Sequence, residues 1–209
     1  IGILPYYQST FNGTPATSWQ GNGENIYIYG AMEENNSYIT SYIPTTGTTA
    51  TRNADVCNNS GSAQDFNSEE GVLYVEALLK DTGTFKTVAR VTENDTSTSS
   101  GIWIYFRSDN KIQAVLRLSG ADQAYMQSSV QTANEYYKVA FKYKQNDFAL
   151  WVNGTEVATD TSGNTFSAGT LSKAGFVLGT STNPFIGDVR NVQVFTEALT
   201  DEQLEKLTS

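Results

Sequence analysis

The 209-residue sequence contains no histidine, a single cysteine and only 17% charged residues, against the ~25% usual for soluble proteins. Without histidine there can be no Ser-His-Asp triad, no Cys-His pair and no imidazole metal ligand. A lone Cys57 cannot form an internal disulfide or a zinc knuckle, so we expect a free thiol. Most familiar catalytic sites are therefore excluded.

Positive charge is also scarce, with 13 Lys and Arg against 22 Asp and Glu and a formal net charge of −9. A nucleic-acid backbone would be repelled by this charge, so we expect no nucleic-acid partner. The longest apolar run, at 72–79, is interrupted by Glu76 and is far shorter than the ~18 residues of a membrane helix. We therefore expect no insertion into a membrane.

What the sequence does contain is short runs with a period of two. Residues 137–143 alternate apolar and polar, as do residues 112–118, which is typical of half-buried strands. The runs at 72–79 and 102–106 are apolar at nearly every position, which predicts strands covered on both faces. Asn153-Gly154 suits a type I′ hairpin turn. These patterns predict an all-β fold, a two-sheet antiparallel sandwich or jelly roll.

One helix is predicted, at the C-terminus. Thr200 and Gln203 have the spacing of a capping box, and Leu199 and Leu204 are placed for a hydrophobic staple. The helix is too short to be stable alone, so we expect it to pack on a sheet.

From residue 136 onward the sequence resembles the laminin-G-like branch of the concanavalin A-like lectin/glucanase superfamily. The resemblance rests on Trp151-Val152-Asn153-Gly154, on the run at 185–195 and on the closing ALTDEQLEKL at 198–207, and it extends over about residues 66–209. One departure is Tyr136-Tyr137-Lys138, where the family often has Trp and His. The resemblance implies a concanavalin A-like jelly roll with a short C-terminal helix, which binds glycans or proteins without performing chemistry.

Residues 38–55 resemble a linker of bacteriophage tail-fibre and other virion proteins, and residues 25–34 resemble the last strand of a jelly roll. We therefore expect residues 1–45 to be the trailing strand and linker of an upstream fibre domain, and residues 46–209 to be the laminin-G-like domain. The same resemblance implies a location on the virion surface or outside the cell. We also expect self-association, as a homotrimer.

Catalysis by this fold would require paired carboxylates. The family's glucanases carry Glu-x-Asp-x-Glu on one strand, which places the carboxylates on one face. Glu33-Glu34, Glu69-Glu70 and Glu93-Asn94-Asp95 all lack that spacing. We expect no enzyme activity, and a glycan-cleaving enzyme is the remote alternative.

Sugar recognition would instead use exposed aromatic side chains, together with amides and carboxylates for the hydroxyls. Ile102, Ile104 and Phe106 fit the core face of one strand, which leaves Trp103 and Tyr105 together on the other. With Tyr125, which lies in a polar segment and is expected to be exposed, they are the predicted ligand-binding residues. The alternative for Trp103 and Tyr105 is burial by a covering loop or a neighbouring subunit.

The resemblance implies calcium as the candidate cofactor, because it is the one that this fold most often carries. Its oxygen ligands could come from aspartates in or near loops, at Asp81, Asp95, Asp109, Asp160 and Asp188. None of them lies in an EF-hand pattern, so we predict no cofactor and leave calcium open.

Three hypotheses follow. The first is a non-catalytic virion module that binds host-surface carbohydrate, and the second is a purely structural trimeric knob or capsid-decoration domain. The third is the glycan-cleaving enzyme.

Overall fold

A computed structural model describes residues 33, 42–51, 57, 59–79, 85–176, 185 and 187–209. The chain divides into two compact units, Ile1–Ala54 and Asp55–Ser209. The strand expected within residues 25–34 lies outside the described residues, Glu33 excepted. The predicted boundary between residues 45 and 46 stays a prediction.

The second unit is a two-layered β structure with one helix. Its elements are β1 (Glu70–Leu79), β2 (Lys86–Thr92), β3 (Gly101–Phe106), β4 (Lys111–Leu118), β5 (Ala121–Val130), β6 (Glu135–Lys144), β7 (Phe148–Val152), β8 (Thr155–Asp160), β9 (Lys173–Gly175), β10 (Val189–Phe195) and α1 (Asp201–Thr208). The strands form two five-stranded sheets, in the orders β10-β1-β6-β7-β8 and β5-β4-β3-β2-β9. All strand pairs are antiparallel. The predicted all-β, two-sheet antiparallel sandwich with a short C-terminal helix is confirmed.

The core lies between the two sheets. Every residue of β3 is buried, and Ile102 and Ile104 belong to the main core cluster. Trp103 and Tyr105 point to the opposite face, where they form a separate buried cluster with Val115. The prediction that residues 102–106 are covered on both faces is therefore confirmed.

Tight turns join the strands where the sequence indicates them. Asn153 and Gly154 have φ angles of 47° and 76°, which is the pair of positive values that a type I′ turn requires. The Asn153 side-chain oxygen also accepts a hydrogen bond from the backbone N–H of Lys138, at 2.9 Å. The turn is thereby tied to β6 as well as joining β7 to β8.

The helix is closed by the predicted capping box. The Thr200 hydroxyl accepts from the backbone N–H of Gln203, and the Gln203 side chain accepts from the backbone N–H of Thr200 at 2.9 Å. Leu204 is fully buried in a second cluster that includes Trp151 and Tyr74. The helix thus covers part of the outer face of the first sheet. In the described part of the chain, no helix has the length and apolar content that a membrane span needs.

We expect Thr200→Ala to lower the free energy of unfolding by about 1 kcal/mol, because it removes the acceptor for an N–H of the first helical turn. Urea denaturation measures the change. The matched control is Thr196→Ala, at an exposed position before the helix, which we expect to change stability by less than about 0.5 kcal/mol. Equal losses in the two variants would contradict the role of the cap.

Candidate functional site

The outer face of the second sheet carries all three predicted ligand-binding residues. Trp103 pairs with Val115 on β4, which in turn pairs with Tyr125 on β5. Tyr105 pairs with Gln113 and Gln113 with Gln127 in the same way. Because paired residues of neighbouring strands point to the same face, these side chains form one continuous surface.

The three predicted residues differ in how far they reach solvent. Tyr125 is 51% exposed, as expected, whereas Trp103 is 1% and Tyr105 is 6% exposed. The burial of Trp103 and Tyr105 is the alternative that the sequence left open, and it is achieved within one chain, without a neighbouring subunit. In this structure the Tyr125 ring is therefore available for stacking, and the other two lie beneath the surface. Their direct contact with a ligand stays a prediction.

A buried amide organises the polar part of this face. The Gln113 side-chain oxygen accepts hydrogen bonds from Arg107 Nη1 at 2.7 Å, from the Tyr125 hydroxyl at 3.1 Å and from Gln127 Nε2 at 3.2 Å. Gln127 Nε2 also donates to the Tyr125 hydroxyl, at 2.7 Å. Gln113 is only 4% exposed, so its oxygen fixes three surface groups from below.

Arg107 is held from two further sides. Its Nε donates to Asp109 Oδ1 at 2.9 Å, and its guanidinium carbon lies 5.8 Å from the centre of the Phe85 ring. Phe85 is itself 38% exposed and packs on Tyr105, with ring centres 4.5 Å apart. We call this surface the outer patch and define it as Phe85, Tyr105, Arg107, Gln113, Tyr125 and Gln127.

Two pKa shifts define the charge of this region. The hydrogen bond from Arg107 lowers the pKa of Asp109, which is therefore ionised at neutral pH. Burial raises the pKa of Tyr105, so its phenol stays neutral. At the far end of the face, Arg117 donates to Asp122 at 2.6 Å. The two carboxylates named here are thus each bound to an arginine, and neither has the environment of a general acid.

Four residues of the outer patch were missed by the sequence analysis: Phe85, Arg107, Gln113 and Gln127. The alternation in residues 112–118 contains the signal for Gln113, because it places this residue opposite the core-facing Ile112 and Ala114. Nothing local links Gln113 to Gln127 or to Arg107, since these contacts depend on how the strands pair.

The four described aspartates among those considered for calcium do not form a common site. Asp81 lies outside the described residues. The other four are bound by protein groups: Asp95 by the Asn59 backbone, Asp109 by Arg107, Asp160 by Ser162 and Asp188 by Tyr136. The part of the chain that the structure describes contains no group of three His, Cys, Asp or Glu that could hold a metal.

A laminin G family model, described as the concanavalin A-like lectin/glucanases superfamily, matches residues 74–205, more than half of the chain. The chain belongs to this superfamily. No curated protein has a detectable match to the sequence.

Solved structures with a similar fold match most of the chain. The CBM40 domain of Ruminococcus gnavus IT-sialidase, bound to α2,6-sialyllactose, has a TM-score of 0.59 at 17% identity and covers 75% of this chain and 96% of its own. Domain 4 of a Geobacillus stearothermophilus arabinanase, in complex with arabinotriose, gives 0.54 at 15% identity, with coverages of 71% and 70%. Botulinum neurotoxin type C, whose cell entry depends on two ganglioside molecules, gives 0.52 at 14%, with coverages of 69% and 36%. At these identities the likeness shows the fold.

We expect Gln113→Leu to lower the free energy of unfolding by about 1–3 kcal/mol, because three donors lose the oxygen that accepts from them. Thermal unfolding measures the change. Gln193→Leu is the control, because Gln193 lies half-buried on β10 in the other sheet. If both variants are equally stable, the Gln113 oxygen does not organise the face as described.

Proposed function

We propose that the chain is a non-catalytic module that binds carbohydrate on the outer patch. The observation that carries this proposal is Tyr125, a half-exposed aromatic ring whose hydroxyl is fixed by Gln113 and Gln127. A ring fixed in this way can stack on the apolar face of a sugar. The neighbouring Arg107 guanidinium supplies hydrogen bonds to its oxygens.

The similar structures support this proposal, because the sialidase domain is bound to sialyllactose, the arabinanase domain is in complex with arabinotriose, and the cell entry of the neurotoxin depends on gangliosides. The outer patch supports it independently, because it joins exposed aromatic surface to fixed polar groups. The arginine-bound state of Asp109 and Asp122 also argues against hydrolysis on this face.

We further propose that the module acts on the surface of a bacteriophage virion, as part of a fibre that attaches to host carbohydrate. The linker-like sequence at residues 38–55 supports this role. A single small patch binds sugars weakly, and linked copies raise the avidity by ~10²–10⁴ without new contacts. A homotrimer would supply such copies, and light scattering coupled to gel filtration measures the oligomeric state.

The structural-knob hypothesis required the outer aromatic residues to be used in subunit contacts. Trp103 and Tyr105 are already buried within one chain, so their burial does not favour that hypothesis. The enzyme hypothesis is tested by incubating the protein with polysaccharides and measuring new reducing ends.

We expect Tyr125→Ala to weaken glycan binding about three- to tenfold, which corresponds to the ~0.5–1.5 kcal/mol of an aromatic contact. The measurement is a glycan array probed with the module displayed on a multivalent carrier, followed by titration of the best glycan. Tyr136→Ala is the matched control, because Tyr136 lies on the first sheet and also bonds through its hydroxyl, to Asp188.

The control variant should bind like the original protein. Two results would contradict the proposal. One is the absence of binding to any glycan by the multivalent form, and the other is full binding by a correctly folded Tyr125→Ala variant.

A further inference from the structure

We infer that the outer patch takes an acidic saccharide, with the carboxylate of the sugar bound by Arg107. This inference rests on the proposed function and names the class of its ligand. It rests on three observations. The Arg107 guanidinium has N–H groups without an acceptor among the described residues, the Gln113 oxygen already accepts three hydrogen bonds, and the acidic excess of the chain lies outside residues 85–130.

The Arg107 guanidinium is held by two hydrogen bonds, but it has further N–H groups that no described residue accepts. Of its five N–H groups, one on Nε is taken by Asp109 and one on Nη1 by Gln113. The described residues accept no hydrogen bond from its Nη2. The side chain is 26% exposed. A planar guanidinium with free N–H groups matches the two oxygens of a carboxylate.

The hydrogen-bond donors of the patch that remain for a ligand lie on Arg107. The buried acceptor of the patch, the Gln113 oxygen, already receives three donors and has no lone pair left for a sugar hydroxyl. Both N–H groups of Gln127 Nε2 are also used, by Gln113 and Tyr125, so the donors left for a ligand are those of Arg107. A neutral sugar presents hydroxyls that both donate and accept, whereas an ionised carboxylate only accepts. The Arg107 guanidinium therefore matches a carboxylate better than it matches the hydroxyl of a neutral sugar.

Charge favours the same ligand. Asp109 lies between two cations, with Arg107 Nε at 2.9 Å and Lys111 Nζ at 3.9 Å, so this group has a net charge of +1. Residues 85–130, which include β2 to β5, contain five Lys and Arg against four Asp and Glu, a net charge of +1. The remaining residues contain eight against eighteen, a net charge of −10. The acidic excess of the chain therefore lies outside residues 85–130, which carry Arg107.

The experiment compares sugars that differ only in their charge. The pairs are α2,3-sialyllactose with the methyl ester of its sialic acid carboxylate, and trigalacturonic acid with its methyl ester, titrated by calorimetry into the full chain. We expect the acidic member of at least one pair to bind about tenfold or more tightly than its neutral partner, because a hydrogen bond to a charged group contributes more than a neutral one. The preference should shrink as salt is raised from 50 to 500 mM.

Arg107→Gln tests the assigned residue. We expect it to abolish the preference for the acidic sugar, while Arg107→Lys keeps part of it because the charge remains. The matched control is Arg190→Gln, on the first sheet. Arg190 also pairs with a carboxylate, Glu76 at 3.3 Å, and also lies over an aromatic ring, that of Tyr136. All variants are first checked for unaltered thermal unfolding.

The outcomes are distinguishable. Equal affinity for acidic and neutral members overturns the inference and leaves the proposed function intact. A preference that survives Arg107→Gln, or that is lost equally in Arg190→Gln, overturns the assignment to Arg107. Failure of every sugar to bind overturns both the inference and the proposed function.

Discussion

The structure depends on the burial of β3 on both of its faces. Its inward side chains, such as Ile104, enter the core, and its outward Trp103 and Tyr105 are also buried. A strand that is apolar on both faces is stable only in the middle of a covered sheet, because an edge would expose it. This places β2 and β4 on either side of it. The outer patch then forms over the buried aromatic residues, on a rigid base.

A polar group that is buried on this apolar base needs hydrogen-bond partners within the protein. A buried amide without partners would cost about 1–3 kcal/mol, and Gln113 avoids this cost by accepting from three side chains at once. The same arrangement restricts the motion of Arg107, Tyr125 and Gln127 before any ligand arrives. A site whose groups are already ordered loses less conformational entropy on binding. The hydrogen bonds that satisfy Gln113 therefore also order the surface proposed as the binding site.

The features that the sequence predicts correctly are those encoded locally. The Asn153-Gly154 turn and the Thr200 cap depend on residues within a few positions, and the common face of Trp103 and Tyr105 follows from alternation. The Gln113 cluster depends on register between β4 and β5, which shifts between Lys111 and Gln113. A slip of one residue would reverse the faces, and no local pattern specifies it. The covering of Trp103 likewise depends on tertiary packing.

The net charge of the whole chain does not determine which small ligands it can bind. A charge of −9 argues strongly against a long polyanion, because such a polymer would lie along many acidic surfaces at once. A single sugar carboxylate experiences a much smaller region, since charges beyond ~8 Å are largely screened at physiological ionic strength. Within that distance of Arg107 the nearest acid, Asp109, is already held by Arg107 itself and by Lys111. A net negative charge is therefore compatible with a small acidic ligand at a place where basic residues, here Arg107 and Lys111, lie close together.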